Sequence, residues 1–186
     1  MKKEKLFITL GIALFFSLSQ FDASAQLMRK GQLLIDAGLG FGYVNSSAVY
    51  AHTGMPIGIT GNVEYAIFDE ISIGGYLAFT HGNYDYYYYN NGNVYRKAGY
   101  NAFDIGARGS FHFAKLMRLS EKRFDPYAGA LLGFSNRSGN EGNYDDTWVR
   151  PGIFAGARWF FSSGFGAYAE VGYAVHPFTI GLTFRL

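Results

Sequence analysis

Eight stretches of this chain alternate apolar and polar side chains with period two, a pattern that fits strands and no other regular structure. They run 33–43, 57–67, 71–80, 100–113, 126–134, 148–161, 165–173 and 178–186. In the first, Leu33, Ile35, Ala37, Leu39, Phe41 and Tyr43 oppose Leu34, Asp36, Gly38, Gly40 and Gly42. In the last, Phe178, Ile180, Leu182, Phe184 and Leu186 share one apolar face. A terminal strand with such a face frays and aggregates unless its edge is paired, and closing the sheet on itself removes the edge. The expected fold is therefore all-β, a single barrel of eight strands.

The front of the chain says where such a barrel is sent. Residues 1–25 read as a cleaved secretory signal peptide: Lys2, Lys3 and Lys5, then the apolar run 6–18, then Ala23-Ser24-Ala25. The mature domain then covers 26–186 and holds 13 Lys/Arg against 12 Asp/Glu, which leaves no basic surface for nucleic acid. There is no cysteine, so no disulfide holds the exported chain. Beyond the signal peptide no apolar run is long enough for a membrane-spanning helix. The connections alternate as well. Those at 44–56, 81–99, 135–147 and 174–177 are mostly long and polar, and those at 68–70, 114–125 and 162–164 are shorter. That rhythm suits antiparallel up-and-down strands with turns at one end and loops at the other.

Alternation does not say which face meets the lumen, but the polar face does. No lysine falls in any of the eight segments; Lys30, Lys97, Lys115 and Lys122 lie outside them. The polar parity carries glycine and a balanced set of charges: Asp36, Glu64, Asp104, Glu170 and Arg108, Arg150, Arg158, Arg185. A lumen enclosed by eight strands is just wide enough for side chains to fill it. An arginine facing lipid at the midplane would cost about 2–4 kcal/mol, and all four avoid the apolar parity. The apolar face therefore looks out to lipid, with Tyr43, Phe79, Phe113, Trp159, Phe161, Phe165, Tyr173 and Phe178 as expected interfacial girdles. The whole is an eight-stranded antiparallel transmembrane β-barrel.

On these grounds the mature chain resembles the small eight-stranded outer-membrane β-barrel proteins, the class of OmpX and the OmpA membrane domain. Thr179-x-Gly181-x-x-Phe184-x-Leu186 is similar to the C-terminal signal read in that class by the outer-membrane assembly machinery, with Leu186 where an aromatic is usual. Pro126-Tyr127-Ala128-Gly129 resembles the start of a central strand in such barrels. The resemblance implies a bacterial outer-membrane location. The partners that follow are membrane lipid, lipopolysaccharide, the assembly machinery and an extracellular ligand of unspecified kind.

Several constellations bear on function. The eight interior charges read first as a structural network, because buried ions must be paired, and second as a rearranging ion-pair gate for small solutes. Asp36 with Arg185 and Arg158 with Glu170 are the expected pairs. Asp36 and Glu64 stand close enough to need Arg185 or Arg158 between them. Tyr84, Tyr86, Tyr87, Tyr88 and Tyr89 form a candidate recognition tip, since tyrosine offers large contact area at low entropic cost; the plainer reading is a hairpin of extended strands. His52, His81 and His176 fall near external loops, but their spacing is irregular and no metal is expected. Ser110 and His112 share a face as a serine–histidine pair would, but in the lumen and near the inner end, away from outer-leaflet lipid. No cofactor motif is present; Gly38-x-Gly40-x-Gly42 lacks the spacing of a nucleotide loop. The expected role is structural or surface interaction through the external loops, without catalysis. A narrow pore is the next reading, and a lipid A-modifying enzyme the third.

Overall fold

The computed structural model describes residues 28–44, 55–89, 93–118, 123–139 and 145–186, with the backbone alone for 84–98 and 145. The expected signal peptide, His52 and the loop tips lie outside the described residues. Eight strands form one closed antiparallel barrel in chain order. They are β1 (Leu33–Phe41), β2 (Ile57–Ala66), β3 (Ile71–Tyr89), β4 (Asn93–His112), β5 (Phe124–Gly139), β6 (Asp145–Phe160), β7 (Phe165–Tyr173) and β8 (Phe178–Arg185). β8 pairs with β1, from Leu34–Arg185 to Phe41–Phe178, so the sheet has no open edge at its seam.

The register climbs around the wall. Leu34 pairs with Glu64, Glu64 with Gly74, Gly74 with Arg108, Arg108 with Leu131, and Leu131 with Gly152. Gly152 already lies beyond Ile153–Tyr173, the last pair between β6 and β7. A row that begins at the base of β1 thus reaches the rim by β6, the tilt that an eight-stranded barrel needs to close. The apolar parity faces outward: Leu39, Ile59, Val63, Ile73, Leu77, Ile105, Leu132, Ile153, Ile180 and Leu182 are all exposed. In a water-soluble protein so continuous a band would be a liability; here it is the lipid surface.

Three features depart from the sequence reading. First, β3, β4, β5 and β6 run past their expected ends, so the stretch 81–99 is mostly strand and Lys97 lies on β4. Alternation fades there, while the tyrosine run still favours the extended chain. Second, Tyr43 is buried and bonded to Ser135 rather than set in a girdle. Gly42 has φ +80°, which turns the chain over and sends the next side chain inward. Third, the 113–123 connection contains a helical turn, with Met117 N–H donating to Phe113 O. Of the other expected girdle residues, Phe79, Trp159, Phe161, Tyr173 and Phe178 are exposed on the outer wall, and Phe113 and Phe165 are half-buried.

Candidate functional site

All eight charges of the polar parity are buried inside the barrel. They form two clusters, one toward the end that carries β8's C-terminus and one toward the opposite mouth. In the lower cluster Arg158, which has no exposed side-chain surface, reaches across the lumen from β6. Its Nη2 donates to Asp36 Oδ2 at 2.8 Å and Glu64 Oε1 at 3.2 Å, and its Nε donates to Asp36 Oδ1 at 3.3 Å. Asp125 lies 3.8 Å from Nη1. The guanidinium also stacks 4.0 Å above the Tyr127 ring. Arg108 on β4 stands between two more carboxylates, 3.0 Å from Glu64 and 2.8 Å from Glu170. The expected pairs are thereby corrected in part. Asp36 is held on both oxygens by Arg158, which stands between it and Glu64 as one of the two arginines expected there, and Glu170 is held by Arg108 and Tyr127, not by Arg158. Arg185 lies 3.6 Å over the ring of Phe160, in an apolar layer with Met28, Leu34 and Ala66 at the base of the barrel.

Below Glu64 a second correction appears. His112 does not bond Ser110. Its Nε2 meets Ser72 Oγ at 3.0 Å, and its Nδ1 meets Asp125 Oδ2 at 2.9 Å. Serine, histidine and aspartate thus stand in the order of a hydrolase triad. Two facts set them apart from a working nucleophile. Ser72 is fully buried, and its hydroxyl donates to Glu64 Oε2 at 2.5 Å. A hydroxyl has one hydrogen, and that of Ser72 is directed at a carboxylate rather than at the ring. The three side chains form a hydrogen-bonded link from Glu64 through Ser72 and His112 to Asp125. Ser72, His112, Asp125 and Tyr127 did not enter the expected network. Parity would have found Asp125 had the fifth strand been extended one residue before Pro126, because it shares the face of Tyr127.

The upper cluster centres on Arg150. Its Nε donates to Asp104 at 2.6 Å, its Nη2 to Ser135 at 3.2 Å, and its Nη1 to the backbone carbonyls of Val44 at 2.6 Å and Ala174 at 3.4 Å. Tyr43 and Ser135 share a hydrogen bond of 2.8 Å beside it. His81 and His176 are not brought together. His176 turns into the mouth and meets Thr80 Oγ1 at 2.9 Å, whereas His81 points outward and bonds Asn101. Among the described residues no group of His, Cys, Asp or Glu could hold a metal. The Tyr84–Tyr89 backbone forms the end of β3, paired with β4 up to Tyr89–Asn93; their side chains lie outside the described residues. In the C-terminal stretch Thr179 faces the lumen, Phe184 packs on Phe165 with ring centroids 5.3 Å apart, and Leu186 is exposed.

This architecture has counterparts among solved structures. The chain is similar to the outer membrane protein OprG from Pseudomonas aeruginosa, with a TM-score of 0.55 at 9% identity over 86% of this chain and 97% of that one. It is similar to a designed transmembrane β-barrel, with a TM-score of 0.50 at 12% identity over 87% of this chain and 99% of that one. The attachment invasion locus protein Ail of Yersinia pestis matches with a TM-score of 0.47 at 13% identity, over 84% of this chain and 99% of that one. No protein-family model matches the chain, and no curated protein matches it in sequence. At such identities the likeness is one of fold: that of the small eight-stranded outer-membrane β-barrels.

Proposed function

We propose that the protein is exported on residues 1–25, lodges in a bacterial outer membrane, and works there without catalysis as a surface-interaction protein. The observation that carries this reading is the overshoot of four strands. β2 and β3 part at Ile57–His81, yet β3 and β4 stay paired to Tyr89–Asn93, about 27 Å further along the strand at 3.4 Å per residue. β5 and β6 pair as far as Ser138–Asp145, well past the last β6–β7 pair. The wall thus rises on one side into an extension whose β3 and β6 edges have no neighbouring strand among the described residues, a surface suited to a protein partner. The tyrosines at its tip, Tyr84 and Tyr86 to Tyr89, add contact area that is cheap to order.

In this reading the outward wall meets lipid and lipopolysaccharide. Thr179, Gly181, Phe184 and Leu186 present the contact for the assembly machinery, and the interior charges serve as struts. Replacing residues 84–92 by a two-residue turn is the direct test. The shortened barrel should keep its heat-sensitive gel mobility and cell-surface exposure, while adhesion of the expressing cells to a host-cell or matrix layer falls to background. Undiminished adhesion would sink the reading.

A further inference from the structure

The turn between β7 and β8, residues 174–177, folds into the mouth of the barrel. Ala174, Val175 and His176 are all buried. Val44 N–H donates to Val175 O at 3.0 Å, Arg150 reaches Ala174 O, and Thr80 meets the His176 ring. The wall is hollowed to receive that ring. A Cβ on Gly40 would lie 2.1 Å from the imidazole Cγ and Nδ1, and one on Gly58 would lie 2.4 Å from Nε2. Any side chain at either position would push the ring out.

Beneath the turn is a cavity of about 20 Å³, room for one water molecule. Thr60, Asn62, Tyr76 and Thr179 line it beside the Arg108–Glu170 pair, and Ala174, Val175 and His176 border it from above. The chamber therefore offers hydroxyls, an amide and a mutually neutralised ion pair: hydrogen-bonding walls with no uncompensated charge. Lifting the turn breaks no pair between strands, because the β6–β7 ladder ends at Tyr173 and the β7–β8 ladder at Val171–Phe178. What holds the turn down is a few hydrogen bonds, the packing of Ala174 and Val175 in the apolar cluster of Tyr43, Tyr76 and Leu131, and the fit of one imidazole between two glycines.

We propose that the β7–β8 turn is a removable plug, and that the chamber beneath it takes up small neutral polar solutes from the mouth when the plug lifts. This function is separate from recognition by the projecting hairpins. The chain has no cysteine, so a single introduced thiol reports on the chamber without background. Asn62→Cys and, separately, Thr179→Cys are placed in the full folded barrel in detergent micelles. Each is exposed to hydroxyethyl methanethiosulfonate, a small neutral polar reagent, and labelling is followed by mass spectrometry. Both thiols should react slowly with the turn intact. Adding His176→Ala, or Gly40→Ala to expel the ring, should raise the rate ten-fold or more at both positions. Gel mobility identifies which variants are folded barrels, and His176→Ala, which only removes atoms, serves should Gly40→Ala not fold. A smaller rise in folded His176→Ala protein overturns the proposal, and so does labelling of the parent thiols at the rate of an exposed cysteine.

Discussion

The lower and upper clusters both set arginines against carboxylates, yet they hold different parts of the molecule. Arg158 faces Asp36, Glu64 and Asp125, which belong to β1, β2 and β5, and Arg108 adds Glu170 of β7. The lower cluster therefore ties strands on opposite sides of the wall to one another. Arg150 meets a single carboxylate, Asp104, and gives its other hydrogen bonds to Ser135 and to the carbonyls of Val44 and Ala174. Two of those partners lie outside any strand, so the upper cluster holds the mouth. The same side-chain chemistry braces the barrel below and latches its connections above.

The two tryptophans allow this contrast to be tested. Trp148 lies 5.4 Å from the Arg150 guanidinium, and Trp159 packs against Phe124 at the lower end, so variants retaining one or the other report on each region separately. The largest effect is expected from Arg158→Ala. It takes from Asp36 the arginine that holds both its oxygens and removes one cation from Glu64 and Asp125, and urea unfolding in lipid vesicles should show a loss of about 3–5 kcal/mol. Both tryptophans should report it in one transition. Arg150→Ala should cost less, about 1.5–3 kcal/mol, the scale of hydrogen bonds to a charged group, and Trp148 should change before Trp159. If Trp159 moves first, the division between brace and latch is wrong.

Acidification should separate the two regions most finely. Burial, and then the charge of Arg150, hold the His176 imidazole down to about 4, below its ordinary 6.5. A base whose proton affinity is lowered in the folded state stabilises that state fully above 6.5 and loses its contribution as pH falls toward about 4. The seated turn should therefore loosen across that window. Trp148 emission should shift there, while Trp159 emission stays constant.

Much of this interior was legible from parity. Every charge of the polar face lies inside the wall, because a period of two leaves a strand residue only two directions. Which charges meet was not legible. Arg158 pairs in register with Tyr168 and sits diagonal to Glu170 on the neighbouring strand, yet its long side chain crosses the lumen to Asp36 instead. Chain order describes the wall, and the wall does not say how side chains cross the space it encloses. Parity also fails wherever the backbone inverts, as at Gly42, whose positive φ sends Tyr43 inward. It fades in the run of like residues Tyr86 to Tyr89, along the outer half of β3, where neighbouring positions do not differ in polarity.

The seam between β1 and β8 bears on how such a barrel is made. These two strands are the furthest apart in the chain, and their meeting comes at the steepest loop-closure cost. Until they meet, an open sheet entering the bilayer would turn Arg108 and Arg158 toward hydrocarbon at about 2–4 kcal/mol each, with Asp36 and Glu64 beside them. Inserting first and closing later is thus penalised by the same residues that brace the finished wall. The charges couple two events in time: the chain enters the membrane as it joins its own ends, and a half-made barrel is turned away.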